Sequence, residues 1–199
     1  MENRRKDGNM KKMDKVKVGL VGLGLVSDSH IKAFQSHKNA EVTAVCDLDE
    51  QYAKEVMQQY GITKYYADYD EMLKDEEINL VDICTPTFTH VKMTVAAAEA
   101  KKNILCEKPF CMNLEEGRVA CEAAEKNGVS LTVEESYRFM TSIIKAKELI
   151  DAGEIGKPTQ IRQRFGEWVP NEGVLDTRET TENHRGWRRN TKKAGGNGF

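Results

Sequence analysis

Two glycines that follow an apolar stretch are the first residues whose type and spacing could do chemistry. Residues 16–21 are mostly apolar, Gly22 and Gly24 come next, and Ser27 lies three positions further on. This approaches the pattern G-x-G-x-x-G, in which the first glycine permits a tight turn and the second lets the backbone approach a pyrophosphate. Ser27 is small but is not glycine, so the match is incomplete. The amides at the start of the following helix would bind the anion, although similar turns also occur without a ligand.

A carboxylate further along the chain supports the dinucleotide interpretation. Asp47 ends a second apolar stretch, residues 41–46. It lies about 20 residues after the glycines, where an acid binds the ribose hydroxyls of a dinucleotide. The alternative is that Asp47 caps the next helix, a role that Asp49 could fill instead. Because both halves of the fingerprint are present, the sequence predicts nucleotide binding.

The composition limits the classes of function. The chain has 199 residues, of which 39% are hydrophobic and 31% charged, and its net charge is −2. That charge gives no reason to expect nucleic acid or a membrane surface as a partner. No stretch approaches the roughly 18 apolar residues of a membrane span. Residues 1–14 are polar and predict a flexible tail rather than a signal peptide. The odd number of cysteines, without a C-x-x-C pair, favours reduced thiols in the cytoplasm and no metal site.

Apolar stretches alternate with helical patterns as far as residue 133. The predicted strands are 16–21, 41–46, 64–67, 78–84, 103–106 and 129–133. The predicted helices are 28–37, 49–60, 69–73, 90–101 and 114–126. This alternation predicts an α/β fold, a Rossmann-type doubly wound parallel sheet covered on both faces. Ligands bind at the carboxyl ends of such strands, where the polar residues of this chain are concentrated.

The pattern changes from residue 135. Residues 142–152 predict an amphipathic helix, and residues 159–165 alternate like a half-buried antiparallel strand. The stretch 170–198 contains few apolar side chains and cannot bury itself. Since one helix and one strand do not form a stable domain, we expect three parts. They are a tail at 1–14, a dinucleotide-binding domain at 15–134, and the incomplete start of an α+β substrate and oligomerisation domain at 135–199.

Further motifs follow the predicted strands and extend into the second part of the chain. They are His30, Thr85-Pro86 with His90, Cys106-Glu107-Lys108-Pro109, Tyr137-Arg138-Phe139, the turn at 155–158, and Trp187-Arg188. On these residues, the chain resembles the glucose–fructose oxidoreductase / inositol 2-dehydrogenase (Gfo/Idh/MocA) family of NAD(P)-dependent oxidoreductases over about residues 15–199. The tripeptide Glu107-Lys108-Pro109 is its most specific part.

The resemblance implies a set of cofactor-binding residues. Gly22, Gly24 and the backbone of Leu25 and Val26 would hold the pyrophosphate, and Asp47 the adenosine ribose. Thr85, Pro86, Thr87 and His90 would line the cofactor groove, with Glu107 facing the cofactor. Lys108 would reach the nicotinamide and the reacting oxygen of the substrate, and Trp187 and Arg188 would border the nicotinamide from the second domain. The carboxylate of Asp47 repels a 2′-phosphate, so NAD(H) is expected to bind better than NADP(H).

The implied reaction is hydride transfer from the CH–OH group of a sugar, polyol or inositol-like substrate. Such a step needs a base for the hydroxyl proton and a cation near the developing oxygen charge, which Lys108 can supply unless it is an ordinary surface lysine. In the family, an Asp-x-x-x-His motif supplies the catalytic histidine, and the chain ends at Phe199 before that motif; Asp176 and His184 lie too early. The alternative is therefore an inactive nucleotide-binding fragment or a redox-sensing regulator. A homo-oligomer is expected only for the complete protein, and a methyltransferase is disfavoured because Glu107-Lys108-Pro109 would have no role there.

Overall fold

A six-stranded sheet lies at the centre of residues 15–162, the part of the chain that the computed structural model describes. Its strands are β1 (Val16–Val21), β2 (Ala40–Cys46), β3 (Lys64–Tyr66), β4 (Leu80–Ile83), β5 (Asn103–Cys106) and β6 (Leu131–Val133). The order is β3-β2-β1-β4-β5-β6, and every neighbouring pair is parallel. Because parallel neighbours need long crossovers, a helix follows almost every strand.

The helices begin and end where the sequence supplies caps. They are α1 (Ser27–Ser36), α2 (Glu50–Tyr60), α3 (Tyr69–Leu73), α4 (Thr87–Glu99), α5 (Leu114–Asn127) and α6 (Thr141–Asp151), with a 3-10 helix at Ser136–Phe139 before α6. The side chains of Asp49, Asp68 and Asn113 accept hydrogen bonds from backbone amides in the first turns of α2, α3 and α5. Each such cap satisfies an amide that has no partner inside the helix.

The sheet is covered on both faces, as expected for a doubly wound fold. Alternate residues of each strand enter two separate apolar clusters, one on each face. The first is built around Val81, Ile83, Met72 and Ala97, and contains side chains of α3 and α4. The second is built around Leu20, Val45, Ile31 and Ala53, and contains side chains of α1 and α2. Asp82 lies between two residues of the first cluster along β4, and it is 0% exposed.

The predicted fold class is confirmed, and several predicted boundaries are corrected. The helix α4 begins at Thr87 rather than at His90, because Pro86, with φ −63°, already has a backbone conformation that suits a helix start. The strand β4 has four residues rather than seven, since its register with β1 covers only Leu80–Ile83.

The strand predicted over residues 159–165 is wrong as far as the structure describes it. Residues 159–162 are exposed and form no strand. Alternation favours a strand only where a partner strand completes its hydrogen bonds, and no described strand pairs with this segment. Residues 163–165 and the polar stretch 170–198 lie outside the described range, as does the predicted tail at 1–14. Within the described range, no helix combines the length and apolar character needed to cross a membrane.

Candidate functional site

The sheet order places a topological switch point at the carboxyl end of β1, where open parallel sheets form a crevice. This strand lies between β2 and β4. The chain adds β2 and β3 on one side of β1 and then adds β4, β5 and β6 on the other side. In open parallel sheets, ligands bind at this switch point. The residues predicted to bind the cofactor follow β1, β2, β4 and β5, so the fold brings them to one edge of the sheet. Trp187 and Arg188 lie outside the described residues.

The backbone and its packing require glycine at the first of the two positions after β1 but not at the second. Gly22 has φ +88°, and a Cβ there would lie 2.9 Å from Cγ2 of Thr85 and 3.0 Å from the carbonyl carbon of Cys84. Glycine is therefore required at this position by both the backbone and the close approach to the end of β4. A Cβ at Gly24 would meet nothing within 4 Å. Packing does not require glycine there, and its absent side chain leaves open space above the turn that suits a ligand.

Ser27 occupies the third position of the pattern and closes the turn. It is 3% exposed, and its hydroxyl donates a 2.7 Å hydrogen bond to the carbonyl oxygen of Gly24. Its small side chain therefore fits the position that glycine usually fills. No side chain caps the start of α1. Leu25 is exposed and Val26 half-buried, so this uncapped helix start, with its positive end of the dipole, is open to an anion.

Asp47 connects the end of β2 to the glycine turn. Its Oδ2 accepts a 2.7 Å hydrogen bond from the amide of Leu23, and its Oδ1 accepts one of 2.9 Å from the amide of Asp49. Asp49 caps α2 through Tyr52, so the alternative role for Asp47 as the helix cap is not needed. Each oxygen of a carboxylate has a second lone pair, so Asp47 can still accept hydrogen bonds from ribose hydroxyls.

The loop after β4 is tied to the loop after β5 by His90. One ring nitrogen, Nδ1, lies 2.9 Å from the carbonyl oxygen of Pro109, and Nε2 lies 2.7 Å from the carbonyl oxygen of Thr85. The ring is 1% exposed, so it holds these loops from within the protein. Thr87 is also buried, and its Oγ1 has no hydrogen-bond partner among the described residues.

Lys108 follows β5 and is exposed, whereas Glu107 beside it is half-buried. The amide of Lys108 donates a 2.8 Å hydrogen bond to Oε2 of Glu107, and the peptide bond between Lys108 and Pro109 is cis. Burial by itself would raise the pKa of Glu107. The contact with His30 and the charge of Lys108 outweigh burial and lower that pKa below its ordinary value. Glu107 is therefore a carboxylate near neutral pH.

A histidine that the sequence analysis did not place in the site lies at the centre of this region. Nδ1 of His30 is 2.9 Å from Oδ2 of Asp82 and 3.3 Å from Sγ of Cys84. Its Nε2 is 2.9 Å from Oε2 of Glu134 and 3.5 Å from Oε1 of Glu107. We call these five residues the His30 network. It joins α1 to the ends of β4, β5 and β6.

The charges of the His30 network depend on one another. Burial alone would lower the pKa of His30, but its contacts with Asp82, Cys84, Glu107 and Glu134 outweigh burial and raise that pKa far above its ordinary value. Burial raises the pKa of Glu134, since the contact with His30 compensates only in part and the charges of Asp82 and Glu107 add to the effect. Burial likewise raises the pKa of the Cys84 thiol. The network therefore holds a cationic imidazole among carboxylates.

The same residues are the donor groups that come close enough to share a metal ion. Within residues 15–162, the two such groups are His30 with Asp82 and Cys84, and His30 with Glu107 and Glu134. Nδ1 of His30 makes a 2.9 Å hydrogen-bond contact with Oδ2 of Asp82, whereas the 2.9 Å approach of Nε2 to Oε2 of Glu134 is an ion-pair contact that leaves this oxygen without a hydrogen-bond partner among the described residues. A metal-bound imidazole needs a nitrogen without a proton. The arrangement therefore fits an ion-pair network.

A sequence feature that could have revealed the network is Asp82. It is a charged residue within an otherwise apolar strand, and the structure buries it completely. Buried carboxylates require a cationic or hydrogen-bonding partner. That requirement predicts a partner but not its identity, because His30 is 52 residues away along the chain.

A doubly wound parallel sheet with a glycine turn after its first strand and an acid after its second defines a dinucleotide-binding Rossmann domain. Residues 16–135 match the family described as "Oxidoreductase family, NAD-binding Rossmann fold", GFO_IDH_MocA. The chain belongs to this Gfo/Idh/MocA family, so the resemblance noted from the sequence is confirmed.

Its relatives include dehydrogenases of inositols. The chain is 32% identical over 147 residues to myo-inositol 2-dehydrogenase from Thermotoga maritima, covering 74% of this chain and 44% of that protein. It is 40% identical over 144 residues to the NAD(+)-dependent scyllo-inositol 2-dehydrogenase of Bacillus subtilis, covering 72% and 42%. An oxidoreductase from Agrobacterium radiobacter, solved with NAD+, L-tartaric acid and magnesium, superposes with a TM-score of 0.70 at 30% identity, covering 72% and 42%. The chain thus spans less than half the length of these proteins.

Proposed function

We propose that this chain is the NAD(H)-binding part of a dehydrogenase that oxidises a CH–OH group of a sugar, polyol or inositol-like substrate. The observation that carries this proposal is the crevice at the carboxyl end of β1, where the open space at Gly24 lies beside the uncapped start of α1 and the carboxylate of Asp47. Membership of an NAD-binding oxidoreductase family and the activities of the inositol dehydrogenases support it.

In this proposal, the edge formed by β1 and β2 holds the cofactor. The amides of Gly24, Leu25 and Val26 bind the pyrophosphate at the open start of α1. Gly22, whose amide donates to the carbonyl oxygen of Cys46, forms the turn that presents them. Asp47 accepts hydrogen bonds from the adenosine ribose. Its negative charge disfavours a 2′-phosphate, so NAD(H) binds better than NADP(H).

The residues after β4 and β5 complete the groove. We assign its lining to Thr85, Pro86 and Glu107, whereas Thr87 and His90, each 1% exposed, support the groove from the interior. The buried ring of His90 contacts the carbonyl oxygens of Pro109 and Thr85, so it holds together the loops after β4 and β5. Trp187 and Arg188 are proposed to border the nicotinamide from the second part of the chain.

Lys108 is the proposed catalytic residue. The glycine turn and Asp47 would hold NAD+, which would supply the hydride acceptor for the alcohol carbon, and the hydroxyl proton would pass to the histidine of the Asp-x-x-x-His motif that the family supplies. The exposed ammonium of Lys108 stabilises negative charge on the alcohol oxygen as the hydroxyl proton leaves. Glu107 accepts a hydrogen bond from the Lys108 amide and so holds the backbone of the segment that carries the lysine.

We also propose the division into residues 1–14, 15–134 and 135–199. The family match ends at residue 135, and the last strand of the sheet ends at Val133. Beyond it, the described segment leaves large apolar side chains exposed, among them Phe139, Ile155 and Ile161. Such side chains suit packing against a second domain, and a homo-oligomer is proposed for the complete protein. All five cysteines are free thiols, which supports a cytoplasmic location.

Titration with NADH and with NADPH, monitored by calorimetry or by nucleotide fluorescence, tests whether the chain binds the cofactor. NADH is expected to bind more tightly than NADPH. A panel of inositols and sugars with the full-length product then tests the activity. Failure of both nucleotides to bind would overturn the proposal. Binding without turnover of any panel member would instead favour the inactive nucleotide-binding module.

A further inference from the structure

A continuous series of contacts joins the buried Asp82 to the backbone of Lys108. Asp82 Oδ2 lies 2.9 Å from His30 Nδ1, His30 Nε2 lies 3.5 Å from Glu107 Oε1, and Glu107 Oε2 accepts a 2.8 Å hydrogen bond from the Lys108 amide. We propose that His30 is a positioning residue for Lys108, a cation that fixes the Glu107 carboxylate and thereby the segment that carries the lysine. This inference rests on the catalytic role proposed for Lys108.

The surroundings of His30 require it to carry a charge. Asp82 and Cys84 face the ring from β4 and the residue after it, Glu107 from the end of β5, and Glu134 from the end of β6. An ionised carboxylate accepts hydrogen bonds but does not donate them, so Nδ1, which faces Asp82 at 2.9 Å, must carry a proton. Nε2 lies within ion-pair distance of Glu134 and Glu107, and these acids favour a second proton there. Asp82 is 0% exposed, and a buried carboxylate without a cation would be costly. In this proposal the imidazole is therefore a cation that balances the buried Asp82.

The charge of His30 controls how Glu107 can orient. One oxygen of Glu107 faces the imidazole and the other accepts from the Lys108 amide, so the plane of the carboxylate is determined by both contacts. Glu134 takes the shorter contact at Nε2 and anchors the ring itself. Without the cation, Glu107 is free to turn away and to pair with the Lys108 ammonium. That pairing withdraws the ammonium from the substrate oxygen, so turnover falls more than cofactor affinity.

The position of His30 also connects the two halves of the site. His30 lies in the first turns of α1, whose start forms the glycine turn, whereas its carboxylate partners lie after β4, β5 and β6. The cradle for the pyrophosphate and the segment of the catalytic lysine are thus held by one side chain. A neutral residue at this position would preserve α1 but lose the electrostatic link.

The first test needs no enzyme activity. His30→Gln in the 199-residue chain is compared with His37→Gln, a matched change of an exposed histidine. Hydrogen exchange at the Lys108 amide should become about 5- to 10-fold faster in His30→Gln, because its acceptor is no longer fixed. Exchange at the Leu23 amide, bonded to Asp47, should not change. Unchanged exchange at Lys108 in a folded His30→Gln variant would overturn the proposal even if the chain proved not to be a dehydrogenase.

Imidazole nitrogen NMR tests the charge of His30 directly. The spectrum of His30 should remain that of an imidazolium up to pH 8.5, because its contacts raise its pKa far above the ordinary value. A titration of His30 between pH 6 and 8 would contradict the proposal. If His30→Gln fails to fold, Asp82→Asn removes the buried charge but keeps an acceptor for Nδ1, and it should bring the His30 titration into this range.

Kinetics of the full-length product complete the test. His30→Gln should lower kcat by about 10- to 100-fold, a size typical of misplaced catalytic groups, with little change in the affinity for NADH. In a Lys108→Ala background, the same change should have almost no further effect, since it acts through Lys108. A full additional loss in that background would show that His30 acts independently of the lysine.

Discussion

The carboxyl edge of the sheet has two halves, one built mainly from backbone groups and the other from charged side chains. The half after β1 and β2, with Gly22, Gly24 and Asp47, works through backbone shape and one carboxylate that accepts two amide hydrogen bonds. The half after β4, β5 and β6 works through charged side chains that meet around His30. Backbone amides suit binding of a ligand common to a whole family, whereas side chains suit chemistry on one substrate class. The difference indicates that changes in the first half should alter binding and changes in the second should alter turnover.

Replacing Lys108 should have the largest effect on turnover. If the affinity for NADH fell more than turnover, the assignment of the second half to chemistry would be contradicted. In the full-length product, Lys108→Ala should lower turnover by about 10²- to 10⁴-fold, because a positioned charge at the reacting oxygen contributes that much. The affinity for NADH should fall far less. Steady-state kinetics and NADH titration measure the two quantities. Lys92→Ala, which changes an exposed lysine on α4, should alter neither. A loss in turnover of less than about tenfold would make Lys108 an ordinary lysine.

A matched pair of glycine variants sharpens the comparison within the first half. Gly22→Ala should reduce the free energy of unfolding by about 2 kcal/mol or more, because alanine is strained at φ +88° and its Cβ would press against Cys84 and Thr85. Gly24→Ala should change that free energy by less than about 0.5 kcal/mol, since its Cβ meets open space. Denaturant unfolding measures both.

The affinity of the Gly24→Ala variant then decides what the open space is for. The added Cβ would occupy the position that the pyrophosphate approaches, so the affinity for NADH should fall about tenfold or more. An unchanged affinity in this variant would contradict the assignment of the crevice to the cofactor.

Asp47→Ala tests which group the first half recognises. The affinity for NADH should fall about 10- to 100-fold, the usual effect of losing charge-assisted hydrogen bonds, and that for NADPH should fall less because a repulsive charge also disappears. Asp49→Ala is the control, because it costs α2 its cap, about 1 kcal/mol, but leaves Asp47 in place. Equal losses for both nucleotides in Asp47→Ala would mean that this carboxylate does not contact the ribose.

The pH dependence of stability should distinguish the charged half from the rest of the fold. The pKa of His30 is raised in the folded protein, so its stabilising contribution is complete below the unfolded pKa of about 6.5 and declines as pH rises above it. The free energy of unfolding of the wild type, relative to His30→Gln, should fall by at most about 1.4 kcal/mol per pH unit between pH 6.5 and 9.

Denaturant unfolding at several pH values measures this effect. Glu107 acts in the opposite sense, because its pKa is lowered and its contribution is lost as pH falls through that pKa. The His37→Gln variant should follow the wild type throughout. A difference between wild type and His30→Gln that did not change with pH would show that His30 is not charged in the folded protein.

The sequence by itself determined the parallel sheet and most of its helices, and it placed Gly22, Gly24 and Asp47 at strand ends. Their information is local: apolar runs mark strands, Asp49 and Asn113 cap helices, and the glycines and Asp47 lie directly at strand ends. The same local rule predicted a strand at residues 159–165, where 159–162 form none, because alternation without a partner strand does not complete the hydrogen bonds.

Only the tertiary structure shows which residues come together in the His30 network. His30 and Asp82 are 52 residues apart, and Glu107 and Glu134 come from two further strands. Nothing in the local pattern of any of these residues names its partner. They meet because the parallel order β1-β4-β5-β6 brings four carboxyl ends to one edge, where the side chain of His30 extends from the first turns of α1. Burial then makes each charge depend on the others, which is why the network is a property of the fold.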